Sequence, residues 1–510
     1  MRSAIGVLIT TALALPVAAL AASPAPHKAS AAASSGAGVY NYPLITPQGT
    51  IDPLTTADVS AMTIVGLSSA QLVDENTSGT LIPQLASSWK VSSNGLQWTF
   101  DLRAGAKFDN GKPVTPADVV WTFDQVVAPK SESPALSSFK NILKSVAAGA
   151  GNSVVFKLAK KYSDFPYLLT GANTWILPSG TTVSSWIKNP VGAGQFELEK
   201  YTPGQGVTYK KNPYYWDASA VKLSGIDVKF YSSTQSELLA FQGGQVDEIN
   251  GVAPQQVGST AHRVDVAGWE KFDALVFNVT KAPLDNVKVR QAIAWALNRK
   301  QIVSAAYEGQ AVSANDYPTF PDYGVQPKGI AQRSQNLSKV KQLLSGVSTP
   351  VTFTITTYTG EQTLAQAIQQ QLDATGDFKV SIDALSEGAY YAGSNSTTPW
   401  LNAPVTITDW ADRLPSQLES LLYAKGAAWN ASHYANSQLD SLTSQYEGTT
   451  NTATRQKLAN QIAEIEYTDV PVIIPAFDKL TLILSTKVKG SFTDGQDFNG
   501  GFDFRGISVS

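Results

Sequence analysis

Residues 81–123 contain the pattern that most constrains the fold of this chain. Trp98, Phe100 and Leu102 alternate with polar residues, and this period of two is typical of a strand with one buried face. Asn110-Gly111 then predicts a tight turn, because asparagine and glycine both tolerate positive φ. A strand followed by a tight turn is therefore expected in this segment.

A helix is predicted directly after the turn. Thr115 can cap its first turn, Pro116 suits the first helical position, and Asp118 can bond back to the cap and favour the helix dipole. Apolar residues then follow at helical spacing, namely Val119, Phe123 and Val126. The segment as a whole predicts strand, turn and helix in succession.

Strands and helices also alternate in the second half of the chain. Residues 351–357 predict a strand, residues 364–372 an amphipathic helix that ends near Gly376, and residues 380–382 a further strand. This order implies a parallel pair of strands with a right-handed crossover. The same periodicities predict strands at 226–230 and 470–477 and helices at 234–242, 287–302 and 458–465. The fold class is therefore predicted to be α/β with mixed open sheets.

Length and composition set limits on function. A chain of 510 residues is too long for one core, so we expect two or three domains. The net charge is −3, which favours neither nucleic acid nor anionic membranes as a partner. The chain has no cysteine, which excludes disulfides, thiolate metal sites, a cysteine nucleophile and a lipid-modified N-terminal cysteine.

Residues 1–21 are typical of a secretory signal peptide. Arg2 supplies a positive start, residues 5–20 form a short apolar run, and Ala19-Leu20-Ala21 suits cleavage. An uncleaved membrane anchor is the alternative, although the run is short for a membrane span. Residues 22–38 form an Ala/Ser-rich arm that we expect to be disordered. We therefore expect a soluble mature chain in the periplasm or elsewhere outside the cytoplasm.

Several segments resemble one family of proteins. Residues 83–89 read P-x-L-A-x-x-W, and residues 98–119 continue with W-T-F-x-L-R-x-G-x-K-F and a later G-x-P-V-T-x-x-D-V. Further matches are V-G-A-G-Q-F at 191–196, K-N-P-Y-Y-W at 211–216 and P-L-D-N-V-K-V-R-Q-A at 283–292. The chain resembles the peptide/nickel solute-binding proteins of ABC transporters, the dipeptide- and oligopeptide-binding type. Gln195 stands where that family usually has proline.

The resemblance implies a two-lobed periplasmic-binding-protein fold of type II, with an extra third domain. Lobe I would comprise 39–73, 191–278 and 484–510, the extra domain 74–190, and lobe II 279–483. Such a protein captures a small peptide or peptide-like solute between its lobes and closes by a hinge motion. It then delivers the solute to ABC permease subunits that work with a cytoplasmic ATPase. The resemblance implies a monomer without cofactor or metal.

The resemblance also implies a binding loop. The family has a W-x-x-D-Y-x-x-P loop whose aspartate pairs with the α-amino group of bound peptides. Trp410, Ala411 and Asp412 match this loop, although the spacing is one residue shorter and Arg413 follows the acid. A carboxylate beside an ammonium group forms a strong charge-assisted bond. The alternative is a surface salt bridge between Asp412 and Arg413.

Other candidate residues are less specific. Tyr390, Tyr391 and Trp400 flank the loop together with Trp410, and they can stack on ligand side chains or sugar rings, or simply pack in the core. Asp58 and Val59 fall where the family places an edge strand that pairs with the peptide backbone.

No motif of a known enzyme class is present, since the sequence lacks G-x-S-x-G, H-E-x-x-H and a P-loop. We therefore expect a binding protein rather than a catalyst. The same fold carrying an oligosaccharide, an opine or a metal chelate is the alternative. A secreted hydrolase, and a peptide sensor or chaperone without a transporter, are alternatives of other classes.

Overall fold

The computed structural model describes residues 38–252, 254–394, 396–492 and 502–510. The predicted signal peptide, residues 1–21, lies outside the described residues, as does the predicted arm of 22–38 except for its last residue. No helix in the described ranges combines the length and the apolar character that a membrane crossing needs.

Strands and helices alternate along the described chain. The strands are β1 (Val39–Ile45), β2 (Val73–Glu75), β3 (Leu81–Pro83), β4 (Ala86–Val91), β5 (Gln97–Leu102), β6 (Leu143–Ala148), β7 (Ser153–Leu158), β8 (Phe196–Thr202), β9 (Gly206–Lys211), β10 (Gly225–Tyr231), β11 (Glu248–Ile249), β12 (His262–Phe277), β13 (Val312–Ser313), β14 (Val351–Tyr358), β15 (Phe378–Leu385), β16 (Val405–Ala411), β17 (Val472–Ile473), β18 (Ala476–Ser485), β19 (Val488–Lys489) and β20 (Ser508–Val509). The α-helices are α1 (Val59–Gly66), α2 (Pro116–Val126), α3 (Leu136–Phe139), α4 (Thr234–Gln242), α5 (Val287–Ala296), α6 (Arg299–Ala306), α7 (Leu337–Leu343), α8 (Gln362–Asp373), α9 (Glu387–Tyr391), α10 (Pro399–Asn402), α11 (Pro415–Leu422), α12 (Ser437–Glu447) and α13 (Thr452–Asp469).

The strands form several open sheets. One has the order β1-β10-β9-β8, and a second, antiparallel sheet has the order β4-β5-β7-β6. The largest has the order β11-β18-β12-β16-β14-β15, with β13 against β18 and β17 against β12. Parallel and antiparallel pairs occur within the same sheet, because β14 is parallel to β15 and β16 whereas β12 is antiparallel to β16. The predicted α/β class with mixed open sheets is confirmed.

The strand, turn and helix predicted within residues 81–123 are confirmed. The buried positions of β5 alternate and comprise Trp98, Phe100 and Leu102. Gly111 has a φ of 80° in the turn. Helix α2 begins after Thr115, whose backbone N and Oγ1 donate to Asp118 Oδ2 at 2.8 and 2.7 Å. The local signals agree with the tertiary structure here because the buried residues of β5 and α2 join the same core.

Helices cover both faces of the largest sheet. On β12, Leu275 and Phe277 join a core that also contains residues of α5 and α8. Their neighbours Phe272, Ala274 and Val276 join a second core with residues of α11, α12 and α13. The period of two along β12 therefore divides this region into two apolar layers with the sheet between them. The predicted limits at 278 and 484 fall just after β12 and within β18, and the domain division stays a prediction.

Three local predictions are wrong in detail. The single helix expected over 287–302 is two helices, because Leu297 is extended and the Asn298 side chain caps α6 by accepting from Gln301 N at 3.2 Å. The strand expected over 470–477 is divided between β17 and β18. The T-x-x-E pattern predicts a capping box from Thr234 to Glu237, but the residue that caps α4 is Ser233.

Gln195 has a structural role that explains why it differs from the family's usual proline. Its Oε1 accepts from Phe504 N at 2.9 Å, and its Nε2 donates to Asp503 Oδ1 at 2.7 Å. A proline could provide neither bond. Gln195 therefore ties the segment before β8 to the C-terminal segment, two pieces that the resemblance assigns to the same lobe.

Two buried carboxyl groups lie between α11 and α13. Glu419 and Glu466 line one small cavity of about 20 Å³ and are 5% and 1% exposed. Burial raises the pKa of Glu419 to about 8. Burial also raises the pKa of Glu466, and the neighbouring Glu419 adds to that shift. The pair is therefore protonated, at least in part, in the folded protein at neutral pH.

These raised pKa values predict a stability that falls with pH. In the unfolded chain both groups ionise near 4.5, so stability is full below that pH and is lost as pH rises through the folded-state values. Glu466→Gln removes one titrating group, so we expect its unfolding free energy to fall less than that of the wild type between pH 4.5 and pH 8. Urea denaturation at both values measures this. The exposed Glu464→Gln is the control, and equal pH profiles for Glu466→Gln and wild type would contradict the prediction.

Candidate ligand-binding cleft

The loop that connects β16 to α11 leaves the largest sheet at the carboxyl end of β16. It carries Asp412 and Arg413, and one hydrogen bond from each of these residues holds the loop against β12 and β16. Asp412 N donates to Glu270 O at 3.0 Å, and Arg413 Nη1 donates to Ala411 O at 3.3 Å. Because ligands of open α/β sheets bind outside the carboxyl ends of parallel strands, this position favours a binding site.

A network of charged and phenolic groups supports the strand ends below this loop. Asp409 Oδ1 accepts from Tyr358 OH at 2.9 Å, which joins β16 to β14. Lys271 Nζ lies 2.9 Å from Asp273 Oδ1 and 2.8 Å from Glu361 Oε1. Burial raises the pKa of Glu361 to about 7, with Asp273 adding to the shift and Lys271 opposing it. These bonds fix the edge of the sheet from which the loop departs.

The loop faces a cavity of about 190 Å³, which we call the Asp412 cavity. Its residues come from two distant parts of the chain, between residues 75 and 171 and between residues 322 and 417. We call these parts the N-terminal wall and the C-terminal wall, and in the adjoining cavity described below the C-terminal wall extends to residue 447. The lining residues are Glu75, Ser138, Tyr167, Leu168, Thr170, Gly171, Asp322, Tyr323, Asp412, Arg413, Leu414 and Gln417. The cavity therefore exists only because tertiary folding brings the two walls together.

Negative charge predominates in the Asp412 cavity. Glu75, Asp322 and Asp412 contribute three carboxyl groups, against the single guanidinium of Arg413. Burial raises the pKa of Asp322 to about 6. Burial lowers the pKa of Arg413, and the charges of Asp412 and Asp409 oppose that shift. The balance of charge favours a ligand that brings a cationic group into this cavity.

A second and larger cavity of about 460 Å³ adjoins the first, and we call it the Trp429 cavity. The two share Ser138, Leu168, Arg413 and Gln417. The further lining residues are Ser137, Asn141, Ile142, Lys160, Tyr162, Ser416, Ser420, Leu421, Trp429 and Glu447. The two cavities therefore adjoin between the N-terminal and C-terminal walls, and we refer to them together as the cleft.

Direct bonds join the two walls beside the cleft. Asp164 Oδ1 lies 2.6 Å from Arg455 Nη2, and both side chains are largely buried. Lys160 Nζ lies 2.9 Å from Glu447 Oε2, and Ser163 N donates to Glu447 O at 2.7 Å. The segment around Asp164 is thus bonded to α12 and α13 in this arrangement of the two walls.

Comparison with known proteins agrees with this arrangement. Residues 80–432 match the family model described as bacterial extracellular solute-binding proteins, family 5 middle. This match covers more than half of the chain. The chain belongs to this family.

Proteins that are similar to this chain differ in the solutes that their names mention. The chain is 25% identical over 452 residues to the dipeptide-binding protein DppE of Bacillus subtilis, covering 80% of this chain and 81% of DppE. It is 27% identical over 479 residues to heme-binding protein A of Haemophilus influenzae, covering 84% of each. The unliganded open form of the periplasmic murein tripeptide binding protein MppA superimposes with a TM-score of 0.81 at 19% identity, covering 93% of this chain and 98% of MppA. The predicted type II periplasmic-binding-protein fold is confirmed.

The residues predicted for the family 5 binding loop occupy different positions. Asp412 lines the Asp412 cavity, and Ala411 ends β16 and accepts a hydrogen bond from Arg413. Trp410 is 5% exposed, and its ring centroid lies 6.0 Å from that of Trp429. Trp410 lies behind the cleft and is not among the lining residues of either cavity.

The other predicted aromatic residues also support the cleft from behind. Tyr390 is fully buried, and its hydroxyl donates to Ile407 O at 2.7 Å while lying 2.8 Å from Thr408 Oγ1. Trp400 lies between Tyr391 and Trp429, with ring centroid distances of 5.8 and 6.5 Å. The packing alternative therefore describes Tyr390 best.

The edge strand expected at Asp58 and Val59 is wrong. Asp58 caps α1, with its Oδ1 accepting from Ala61 N at 2.8 Å, and Val59 is the first residue of that helix. An aspartate at a helix cap satisfies a backbone N–H that has no partner within the helix, and this favours helix over strand here. Neither residue lines the Asp412 or the Trp429 cavity.

The residues of the N-terminal wall and Trp429 are not predictable from the sequence pattern. Trp429 is 44% exposed and lies in a loop between α11 and α12, where no periodicity or motif marks it. An exposed tryptophan becomes informative only when the structure shows that it borders a cavity.

The different burial of two tryptophans predicts different effects on stability. Trp410→Ala removes a buried ring and should lower the free energy of unfolding by about 3–5 kcal/mol. Trp429→Ala removes a ring that is 44% exposed and should cost less than about 1 kcal/mol. Urea denaturation of both variants measures the difference. Equal losses in the two variants would show that the assigned roles are wrong.

Proposed function

We propose that this protein captures small peptides or peptide-like solutes with a free amino group and delivers them to an ABC permease. It acts as a monomer and binds the solute without chemically changing it. The observation that carries the proposal is the position of Asp412. Its loop leaves the carboxyl end of β16 and faces a cavity that Glu75 and Asp322 make more acidic.

The chemistry of this cavity suits a terminal ammonium group. A carboxylate and an ammonium form a short charge-assisted bond, and such a bond is stronger where water is excluded. Arg413 lies next to Asp412, and a guanidinium can bond a carboxylate or carbonyl group through two parallel N–H donors. One loop therefore offers complementary groups for the ammonium and for the following carbonyl or carboxylate of a short peptide.

The names of the relatives leave more than one solute possible, and the charge of the cavity favours one of them. DppE and MppA are named for a dipeptide and a murein tripeptide. A heme, as in the name of the Haemophilus influenzae relative, brings carboxylates and no ammonium. The three carboxyl groups of the Asp412 cavity would repel it, which supports a peptide-like solute.

The two walls also explain how binding favours a closed arrangement. Asp412 belongs to the C-terminal wall, whereas Glu75 belongs to the N-terminal wall. A ligand that touches both walls stabilises the arrangement in which they face each other, and a ligand that touches one wall does not. Capture between the walls thus presents a recognisably different surface to the permease.

Residues 1–21 are proposed to direct export, in agreement with the extracellular location in the family description. The short apolar run and the small residues at 19–21 support cleavage before Ala22. N-terminal sequencing of protein recovered outside the cytoplasm should therefore read from Ala22 or a residue close to it. A recovered chain that still begins at Met1 would contradict cleavage.

The proposed role of Asp412 can be tested with an equimolar tripeptide library that contains each peptide in free and N-acetylated form. Immobilised protein should enrich the free form, and mass spectrometry measures the ratio. Asp412→Asn keeps the shape of the side chain and removes its charge. We expect it to weaken binding of free peptides by about 2–5 kcal/mol, which is roughly 30-fold or more.

Asp383→Asn is the matched control, because Asp383 is exposed on β15 of the same sheet and lines neither cavity. Bound peptides should be recovered intact, since the proposal is binding without turnover. If the wild type enriches no peptide, the proposed function is wrong. If it enriches peptides and Asp412→Asn enriches the free forms equally well, peptide binding stands and the amine-binding role of Asp412 is refuted.

A further inference from the structure

The Trp429 cavity differs in character from the Asp412 cavity beside it. It is more than twice as large, at about 460 Å³ against about 190 Å³. Apolar side chains approach it from both walls, with Ile142 and Leu168 on one side and Leu421 and Trp429 on the other. A cavity with apolar side chains on both walls that adjoins a more strongly charged cavity suits a ligand with a charged end and a large apolar group next to it.

Trp429 is held in place although it is 44% exposed. Its ring centroid lies 6.0 Å from that of the buried Trp410 and 6.5 Å from that of Trp400. These are the centroid distances of tilted and edge-to-face aromatic pairs. The supporting rings restrict Trp429, so that a ligand group packing against its exposed part meets a surface that is already ordered.

The charged residues of the Trp429 cavity leave room for such a group. Lys160 and Glu447 lie 2.9 Å apart and offset each other's charge. Arg413 lies where the two cavities meet, since it lines both. Small hydroxyl side chains, such as those of Ser137 and Ser420, line other parts and occupy little volume.

We propose that the Trp429 cavity is a side-chain subsite that selects peptides with a large apolar, preferably aromatic, residue at one of their first two positions. This inference rests on the proposed function, because it assumes that the terminal ammonium enters the Asp412 cavity. Burying a phenylalanine side chain in place of alanine should tighten binding by about tenfold or more. Ring-to-ring contact with Trp429 adds to this preference.

Three synthetic peptides serve as probes, Phe-Ala-Ala, Ala-Phe-Ala and Ala-Ala-Ala, with affinities measured by calorimetry. We expect at least one phenylalanine peptide to bind the wild type about tenfold or more tightly than Ala-Ala-Ala. Trp429→Ala should remove most of that ratio, and Trp429→Phe should retain much of it. Tyr214→Ala is the matched control, because Tyr214 is equally exposed at 44% and lines neither cavity.

A second variant tests the space rather than the ring. Ser420 lies on the exposed side of α11 and lines the cavity, so that Ser420→Phe should fill part of the subsite. This variant should weaken phenylalanine peptides and leave Ala-Ala-Ala nearly unchanged. Equal affinities of all three peptides for the wild type would overturn the subsite. Failure of every peptide, with no enrichment from the tripeptide library, would instead refute the proposed function itself.

Discussion

The binding loop depends on the position of β16 between β12 and β14 in the largest sheet. Parallel pairing with β14 and antiparallel pairing with β12 set the direction in which the chain leaves the sheet. The register places Asp409 opposite Asp273, where Lys271 pairs with Asp273 and the Tyr358 hydroxyl donates to Asp409. Asp412 and Arg413 are the first two residues after β16. The end of this strand therefore sets their position.

Electrostatics links this geometry to recognition. Glu75, Asp322 and Asp412 bring three carboxyl groups to a cavity of about 190 Å³, and burial raises the free energy of keeping such groups charged. Arg413 brings an opposite charge to the same cavity, and the solvation that it loses on burial is the cause of its lowered pKa. The proposed preference for a cationic group therefore rests on the residues that line the cavity as a set, and not only on the match of one aspartate to a motif.

The sequence predicted those features that depend on local periodicity, and it failed where tertiary contacts decide. The strand at 97–102 and the helix from Pro116 were predictable because capping residues and a single buried face agree. The break at Asn298 was missed because the apolar stripe continues across it. Asp412 could be found from a loop motif, whereas the N-terminal wall could not, since no local pattern reports which distant segment packs opposite a loop.

Two tryptophans of one aromatic cluster differ in burial, and this difference cannot be read from the sequence. Trp410 lies on β16, where the period of two turns its side chain into the core, and it is 5% exposed. Trp429 lies in a loop and retains 44% of its exposure beside a cavity. The two rings pack together, with centroids 6.0 Å apart, so the buried ring restricts the exposed one. Arg413 borders both cavities, so under the proposed binding mode a group at Asp412 and a group packed on Trp429 would be close neighbours in the ligand. That proximity is the reason why the proposed selectivity concerns the first residues of a peptide.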